Sequence, residues 1–262
     1  RSAQGLSRRE PEGRPLKAGS LGTRIDAGDS ILVRWLDPAV ISDAQLSGWS
    51  AVLDGSERAV ADRFHFEADR RQYVVAHALL RGVVAGMTRR PAPTLAFTRR
   101  PGGKPELAAP TAAEADLEFS LSHTRTLVAV ALGRGRSLGI DVEPVDRRAH
   151  YAEIAARHFS PDEAARVAAE GAPAFFRLWT LREAYLKATG EGLARPLRSF
   201  SFKLDPPRVD EGIAGRSWHF AELRPSVTHC LALAVLGGEP GAPRLDLDAR
   251  PIGFDELSGL LQ

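Results

Sequence analysis

The sequence has little of what would cross-link or anchor a chain. Cys230 is the only cysteine among 262 residues, so no intrachain disulfide can form and a thiolate-built zinc site is excluded. No run approaches the ~18 consecutive apolar residues of a membrane span. The first residues, Arg1-Ser2-Ala3-Gln4-Gly5, carry no apolar signal region, and a cytoplasmic location is expected. Net charge is also small: 35 Lys and Arg against 33 Asp and Glu give +2. That balance speaks against a dedicated nucleic-acid binder, whose affinity comes largely from basic excess. It leaves room for a local basic pocket. What is present, 44% hydrophobic and 26% charged residues, is an ordinary globular composition, long enough to bury a core without a staple.

The chain divides by composition. Residues 1–29 are rich in Arg, Gly, Ser and Pro without apolar periodicity and read as a flexible arm. Two lobes over 30–136 and 137–236 and a tail over 237–262 complete the expected division. A strand is predicted at Ile31–Leu36 and a helix at Asp43–Leu53. From Glu67 to Met87, Tyr73, Ala76, Leu80, Val83 and Met87 recur at steps of three and four, which predicts an amphipathic helix. Five prolines and Gly102-Gly103 predict mostly loop over 89–117. Strands are predicted at Leu117–Leu121 and Leu127–Leu132, with Ser122-His123-Thr124-Arg125 as a tight turn, and again at Ser137–Val142. Ser160-Pro161-Asp162-Glu163 is a helix start, with an N-cap serine, a first-turn proline and a capping-box glutamate. A helix over Pro173–Thr189 should stop at Gly190. Later strands are predicted at Phe200–Leu204, Trp218–Leu223 and His229–Leu236, the last holding Cys230, and a short helix closes the tail. Strand–helix–strand blocks in both halves imply an α+β fold of two similar lobes.

Two acidic patterns stand out. In Gly139-Ile140-Asp141-Val142-Glu143 the acids alternate with apolar residues, so on a strand Ile140 and Val142 face the core while Asp141 and Glu143 share the other face, roughly 7 Å apart. Carboxylates that close repel unless a cation or proton lies between them. In Trp179-Thr180-Leu181-Arg182-Glu183-Ala184-Tyr185-Leu186-Lys187, Leu178, Leu181 and Tyr185 form one helical stripe, and Trp179, Glu183 and Lys187 form another. Each pattern alone also fits a bland role, a wet strand face or a Glu-to-Lys surface pair. Together, Asp141, Glu143 and Glu183 offer three hard oxygen ligands of the kind magnesium takes while sharing its shell with phosphates.

Basic and hydroxyl residues supply the other side of a phosphate site. Phe119-Ser120-Leu121-Ser122-His123-Thr124 sets a histidine beside small hydroxyls, and Gly102-Gly103-Lys104-Pro105 sets a lysine in a glycine loop. The latter is no P-loop, since proline follows the lysine. Gly133-Arg134-Gly135 has the wrong spacing for a dinucleotide fingerprint. Arg63, Arg70 and Arg71 stand before or in the first turn of the long helix.

In order along the chain, Gly103-Lys104-Pro105, Phe119–Thr124, Gly139–Glu143 and Trp179–Lys187 closely resemble the signatures of the 4′-phosphopantetheinyl transferases. The nearest type is the single-chain form that activates nonribosomal peptide and polyketide synthases. The likeness runs from about Arg58 to Leu204 and includes Arg157-His158-Phe159-Ser160 and Gly190-Glu191-Gly192-Leu193. It implies two pseudo-symmetric lobes with coenzyme A bound between them. It further implies magnesium on Asp141, Glu143 and Glu183, and contacts to coenzyme A from His123, Ser122, Lys104, Pro105, Asp141 and Lys187, with Arg63 and Arg71 assisting. Arg182 stands where many members carry lysine, which keeps the charge.

The reaction so implied is attack of a carrier serine on the β-phosphorus of coenzyme A, releasing adenosine 3′,5′-bisphosphate. A serine needs a base; Glu183 is expected to serve, directly or through water, while Lys187 steadies charge on the phosphate. The expected partners are coenzyme A and apo acyl or peptidyl carrier domains, with no nucleic acid or membrane, and the chain is expected to act as a monomer. A magnesium-dependent phosphohydrolase or nuclease could use the same carboxylates. A non-catalytic coenzyme A-binding module would lack an acid or the lysine, and none is lacking here. The order of the motifs favours transfer.

Overall fold

The protein is described by a computed structural model covering residues 30–100, 102–145, 150–210, 217–237 and 245–262. The arm read over 1–29 lies outside the described residues.

The same succession of elements occurs twice. The first half runs β1 (Ser30–Leu36), α1 (Asp43–Val52), α2 (Gly55–Ala61), α3 (Glu67–Thr88), the short strands β2 (Phe97–Arg99) and β3 (Pro105–Leu107), then β4 (Leu117–His123) and β5 (Val128–Arg134). The second runs β6 (Leu138–Pro144), α4 (Tyr151–His158), α5 (Pro161–Glu170), α6 (Ala172–Thr189), β7 (Ser201–Lys203), β8 (Arg208–Asp210), β9 (Trp218–Ser226) and β10 (His229–Leu236). In each half three strands pair antiparallel in the same order, β1-β5-β4 and β6-β10-β9, and the last two short strands before them form a separate ribbon. The fold is α+β and two-lobed.

Alternation along the strands explains how the halves join. Leu32 and Leu36 of β1 pack with Val74, Leu79 and Val83 of α3, while Ile31 and Val33 point the other way. Ile140 and Val142 of β6 meet Ile31 and Val33 in a third core between the two sheets, with Leu231 and Leu233 of β10. A strand buried on both faces reads as continuous apolar sequence, which is why Cys230–Leu236 does, and Cys230 is buried within it.

Several differences from the predicted elements have simple causes. Ser122 and His123 are the last residues of β4, not of the turn, because pairing continues to His123 opposite Val128. The proline-rich stretch holds the β2–β3 ribbon, too short to leave a periodic signal. The segment read as a tail supplies β11 (Asp246–Pro251), which pairs parallel to β1, and α7 (Phe254–Leu260), whose Leu257 joins the first-half core with Ile252 and Leu261. Six residues of strand and seven of helix carry too few apolar positions to announce this packing.

Each half also carries the same buried ionic clamp, built on a capping box. Asp54 and Glu57 cap α2; Glu57 accepts from Arg81 Nε of α3 (2.7 Å) and lies against His77 Nδ1 (2.8 Å). Arg81 is wholly buried, donates to the Ala92 and Leu95 carbonyls and lies over the Phe97 ring. Ser160 and Glu163 cap α5; Glu163 accepts from wholly buried Arg182 of α6 and from the Phe202 N–H (2.7 Å). Arg182 in turn donates to the Leu197 and Phe200 carbonyls between the Phe159 and Phe200 rings. Each arginine ties a long helix to the chain that follows it.

A buried guanidinium left without its carboxylate is costly. Glu57→Gln and Glu163→Gln are each expected to destabilise the protein by ~3 kcal/mol or more in urea denaturation. Burial opposes ionisation of Glu57, but His77, Arg81 and the Asp54 N–H outweigh it and hold its carboxyl below the usual value of 4.5. Its ionised form therefore stabilises the protein above that pH, and the contribution is lost as pH falls through the lowered value. Glu57→Gln should flatten this part of the acid-denaturation curve; an unchanged acid limb would contradict the assignment.

Candidate active site

The site forms where α6 crosses β6. Gly139 makes the close crossing possible: a Cβ there would lie 2.1 Å from the Ala184 carbonyl oxygen and 2.4 Å from the Ala188 nitrogen, both backbone atoms of α6. At that spacing the predicted stripe Trp179–Glu183–Lys187 lies over the predicted acids of β6. The Trp179 side chain lies near Glu143 and favours its ionised form. Lys187 Nζ reaches Asp141 Oδ1 (2.7 Å). The Glu183 carboxyl feels the charge of Asp141 and of Lys187. Lys187 thus pairs across to the strand rather than with Glu183 along its own helix.

Asp141 is 4% exposed, so the acidic face is not wet. Burial, then the Asp141 charge, push Glu143 up to about 7, and Glu183 adds to the repulsion. Burial and Asp141 raise Glu183 as well. Lys187 offsets only part of this crowding. Among the described residues no three His, Cys, Asp or Glu side chains already form a metal cage. Asp141 Oδ2, however, is buried with no hydrogen-bond partner. An orphaned carboxylate oxygen among under-neutralised acids is the environment a divalent cation relieves, and the donors are hard oxygens suited to magnesium.

Beside the acids lies a cavity of about 240 Å³ walled by both halves. The first half contributes Tyr73, His77 and Leu80 of α3, Arg99, Gly102, Gly103, Lys104 and Pro105 around the β2–β3 ribbon, and Ser120, Leu121 and His123 of β4. The second contributes Leu186 and Lys187 of α6 with Gly190 and Gly192 beyond it. Two loops meet backbone to backbone on one wall: Gly102 has φ 94° and a Cβ on it would lie 2.2 Å from the Gly190 carbonyl oxygen. His123, at the rim, pairs through Nδ1 with Gln72. Its partial embedding, then the charges of Lys187, His77 and Arg99, lower its pKa. Arg99, Lys104, His123 and Lys187 among its lining residues suit the cavity to an anion.

Of the residues singled out in sequence, Lys104, Pro105, His123 and Lys187 line the cavity, and Ser122 and Asp141 stand just behind Lys187. Lys104 is largely buried, donating to Glu118 of its own half (2.7 Å) and to the Leu138 carbonyl of the second half (3.0 Å), so one of its bonds ties the lobes together. The two arginines are not among the lining residues: Arg71 donates to the Ile41 carbonyl and Asp43, and Arg63 is exposed between α2 and α3. Tyr73, His77 and Arg99 were not anticipated there. Tyr73 read as a core position of its stripe. The adjacent pair Arg99-Arg100 before the glycine loop was the available signal for Arg99.

Because backbone atoms cannot yield as a side chain would, Gly139→Ala is expected to push α6 off β6, lowering stability by about 1–3 kcal/mol in urea. Wild-type stability in that variant would show that the helix does not rest on the strand at this point.

A family model described as the 4′-phosphopantetheinyl transferase superfamily matches residues 137–234, and one described as the N-terminal part of 4′-phosphopantetheinyl transferase matches 41–134. The boundary between them falls between β5 and β6. The 4′-phosphopantetheinyl transferase HetI of Nostoc sp. is 32% identical over 207 residues, 78% of this chain and 86% of that protein. A phosphopantetheinyl transferase of Thraustochytrium sp. is 30% identical over 239 residues, covering 83% and 81%. The 4′-phosphopantetheinyl transferase Sfp of Bacillus subtilis is 27% identical over 168 residues, covering 63% and 72%. With both halves matched and most of a relative's length shared, this chain belongs to the 4′-phosphopantetheinyl transferase superfamily.

Proposed function

We propose that the cavity binds coenzyme A and that the acids beside it direct transfer of its 4′-phosphopantetheine arm to a serine of an apo acyl or peptidyl carrier protein, releasing adenosine 3′,5′-bisphosphate. The observation that carries this reading is the meeting of Lys187, Asp141 and Ser122 at the corner of a cavity built by both halves and lined by basic residues. Phosphoryl transfer asks for positioning and charge stabilisation more than covalent chemistry, and this corner supplies both.

Lys104, Pro105, Arg99 and His123 would take the nucleotide end and its phosphates, since they line the first-half wall of the cavity. Lys187, in ion-pair contact with Asp141, would donate a hydrogen bond from its ammonium to an arriving phosphate oxygen. Asp141, Glu143 and Glu183 would hold magnesium, and Asp141 Oδ2 supports that fit. Magnesium, when bound, supplies positive charge to the diphosphate oxygens. Glu183 would accept the proton of the carrier serine, directly or through water. Among the described residues no helix is long and apolar enough to cross a membrane.

Mass spectrometry of an apo carrier protein incubated with coenzyme A and magnesium tests the reading. The carrier should gain the mass of the arm; release of phosphate or nucleotide fragments without that gain would instead indicate a hydrolase. Glu183→Gln should slow transfer by about 10²–10⁴-fold with melting unchanged, and a wild-type rate would remove its role as base. His123→Ala should weaken coenzyme A binding by ~1.5–3 kcal/mol in calorimetry; unchanged affinity would move the nucleotide elsewhere.

A further inference from the structure

Three hydrogen bonds converge on Ser122. Its hydroxyl, on β4 of the first half, donates to Asp141 Oδ1 (2.9 Å) and accepts from Lys187 Nζ (2.9 Å) and the Val142 N–H (3.3 Å). A hydroxyl offers one proton and two lone pairs, so these partners use its whole capacity. Ser122 is 5% exposed, and a ligand could gain a bond to it only by displacing one of them.

The same atoms decide how Asp141 stands. Oδ1 takes Ser122 and Lys187, while Oδ2 is buried without a hydrogen-bond partner among the described residues. Rotation about a carboxylate's last bond is soft, so the carboxylate plane must be fixed from outside. Lys187 alone is a poor guide, being a long side chain still 31% exposed. The short, buried hydroxyl of Ser122 is the rigid partner. Nothing nearer in sequence does this: Ser122 belongs to the other half of the fold from the acid it orients.

We infer that Ser122 is a positioning residue for the cation site: it fixes the Asp141 carboxylate so that Oδ2 is left to a divalent ion, and it does not itself contact coenzyme A. The inference rests on the reading above that Asp141 holds a cation. Ser120 provides an internal comparison. Its hydroxyl accepts from the Ile140 N–H (3.2 Å) in the same seam between β4 and β6 without a hydrogen bond to Asp141. Removing Ser120 therefore takes away a seam bond and a cavity-wall hydroxyl while leaving the contacts of Asp141 in place.

The test uses Mn2+ as the probe, titrated by electron paramagnetic resonance into the full chain with coenzyme A bound and no carrier present. Coenzyme A affinity is measured separately without metal. Partners of metal ligands typically change affinity 10–100-fold. Ser122→Ala should accordingly weaken Mn2+ by about tenfold or more while metal-free coenzyme A affinity stays as in wild type. Ser122→Thr and Ser122→Val share one shape and differ in the hydroxyl, so any cost of packing falls on both; Thr should bind Mn2+ more tightly than Val. Ser120→Ala should keep wild-type Mn2+ affinity. Equal Mn2+ binding by the Thr and Val variants would overturn the inference. So would equal weakening in Ser120→Ala, or a loss of metal-free coenzyme A affinity in Ser122→Ala matching its loss of Mn2+. A wild-type protein that binds coenzyme A but no Mn2+ would refute the cation reading itself, and the positioning role with it.

Discussion

The contact on which the site depends is the one between a strand and a helix that touch backbone to backbone. Gly139 lets α6 lie against β6 closer than any side chain would permit. Everything chemically distinctive follows from that spacing. Trp179 meets Glu143, Lys187 meets Asp141, and Glu183 comes within the influence of Asp141 because the helix stripe and the strand face are pressed together. The fold then guards the spacing from the opposite side. Arg182, next to Glu183 on α6, is fixed by Glu163, two carbonyls and two aromatic rings. A helix held at both flanks cannot turn the stripe of Trp179, Glu183 and Lys187 without breaking a buried ion pair, which is among the costlier events in a protein.

The repeated clamp gives the two halves a common logic and also shows where they part. In the first half, Arg81 and Glu57 secure α3 as Arg182 and Glu163 secure α6. Yet the outer edge of β1 is covered by β11, whereas β6 presents its free edge to β4 through serine hydroxyls. Strand pairing in one place and side-chain bridging in the other make one edge a closed sheet and the other a seam. The acids stand at the seam, within reach of groups from both halves, and this asymmetry gives a duplicated architecture a single reactive corner.

Much of this was legible in the residues. Alternation in Gly139–Glu143 placed Ile140 and Val142 inward and the acids together, and the step of four from Trp179 to Lys187 placed those side chains on one stripe; both hold. The capping box at Ser160 is present with both of its bonds. Other features were hidden for physical reasons. The internal duplication leaves almost no repeated sequence, because it is carried by strand order and by one arginine–glutamate pair per half. The first-half membership of β11 and α7 depends on packing against residues over two hundred positions away. Ser122 reads in sequence as a phosphate-cradling hydroxyl, and its bonds to Asp141, Lys187 and the Val142 N–H come from chain positions that the local motif does not contain. Arg71 looked available for the same reason, while its partners on the first helix lie nearly thirty residues upstream.

The central claim is that acids from β6 and α6 share one divalent ion facing the diphosphate of coenzyme A. The most direct measurement is a crystal structure of the protein with coenzyme A and Mn2+, with the metal located by its anomalous scattering. The account predicts one peak at the cavity corner, bound by oxygens of Asp141 and Glu183 and of the diphosphate at about 2.1 Å, the distance of a magnesium-type site. A diphosphate bound in the cavity with no metal peak beside Asp141, or with Glu183 turned from it, would contradict the account.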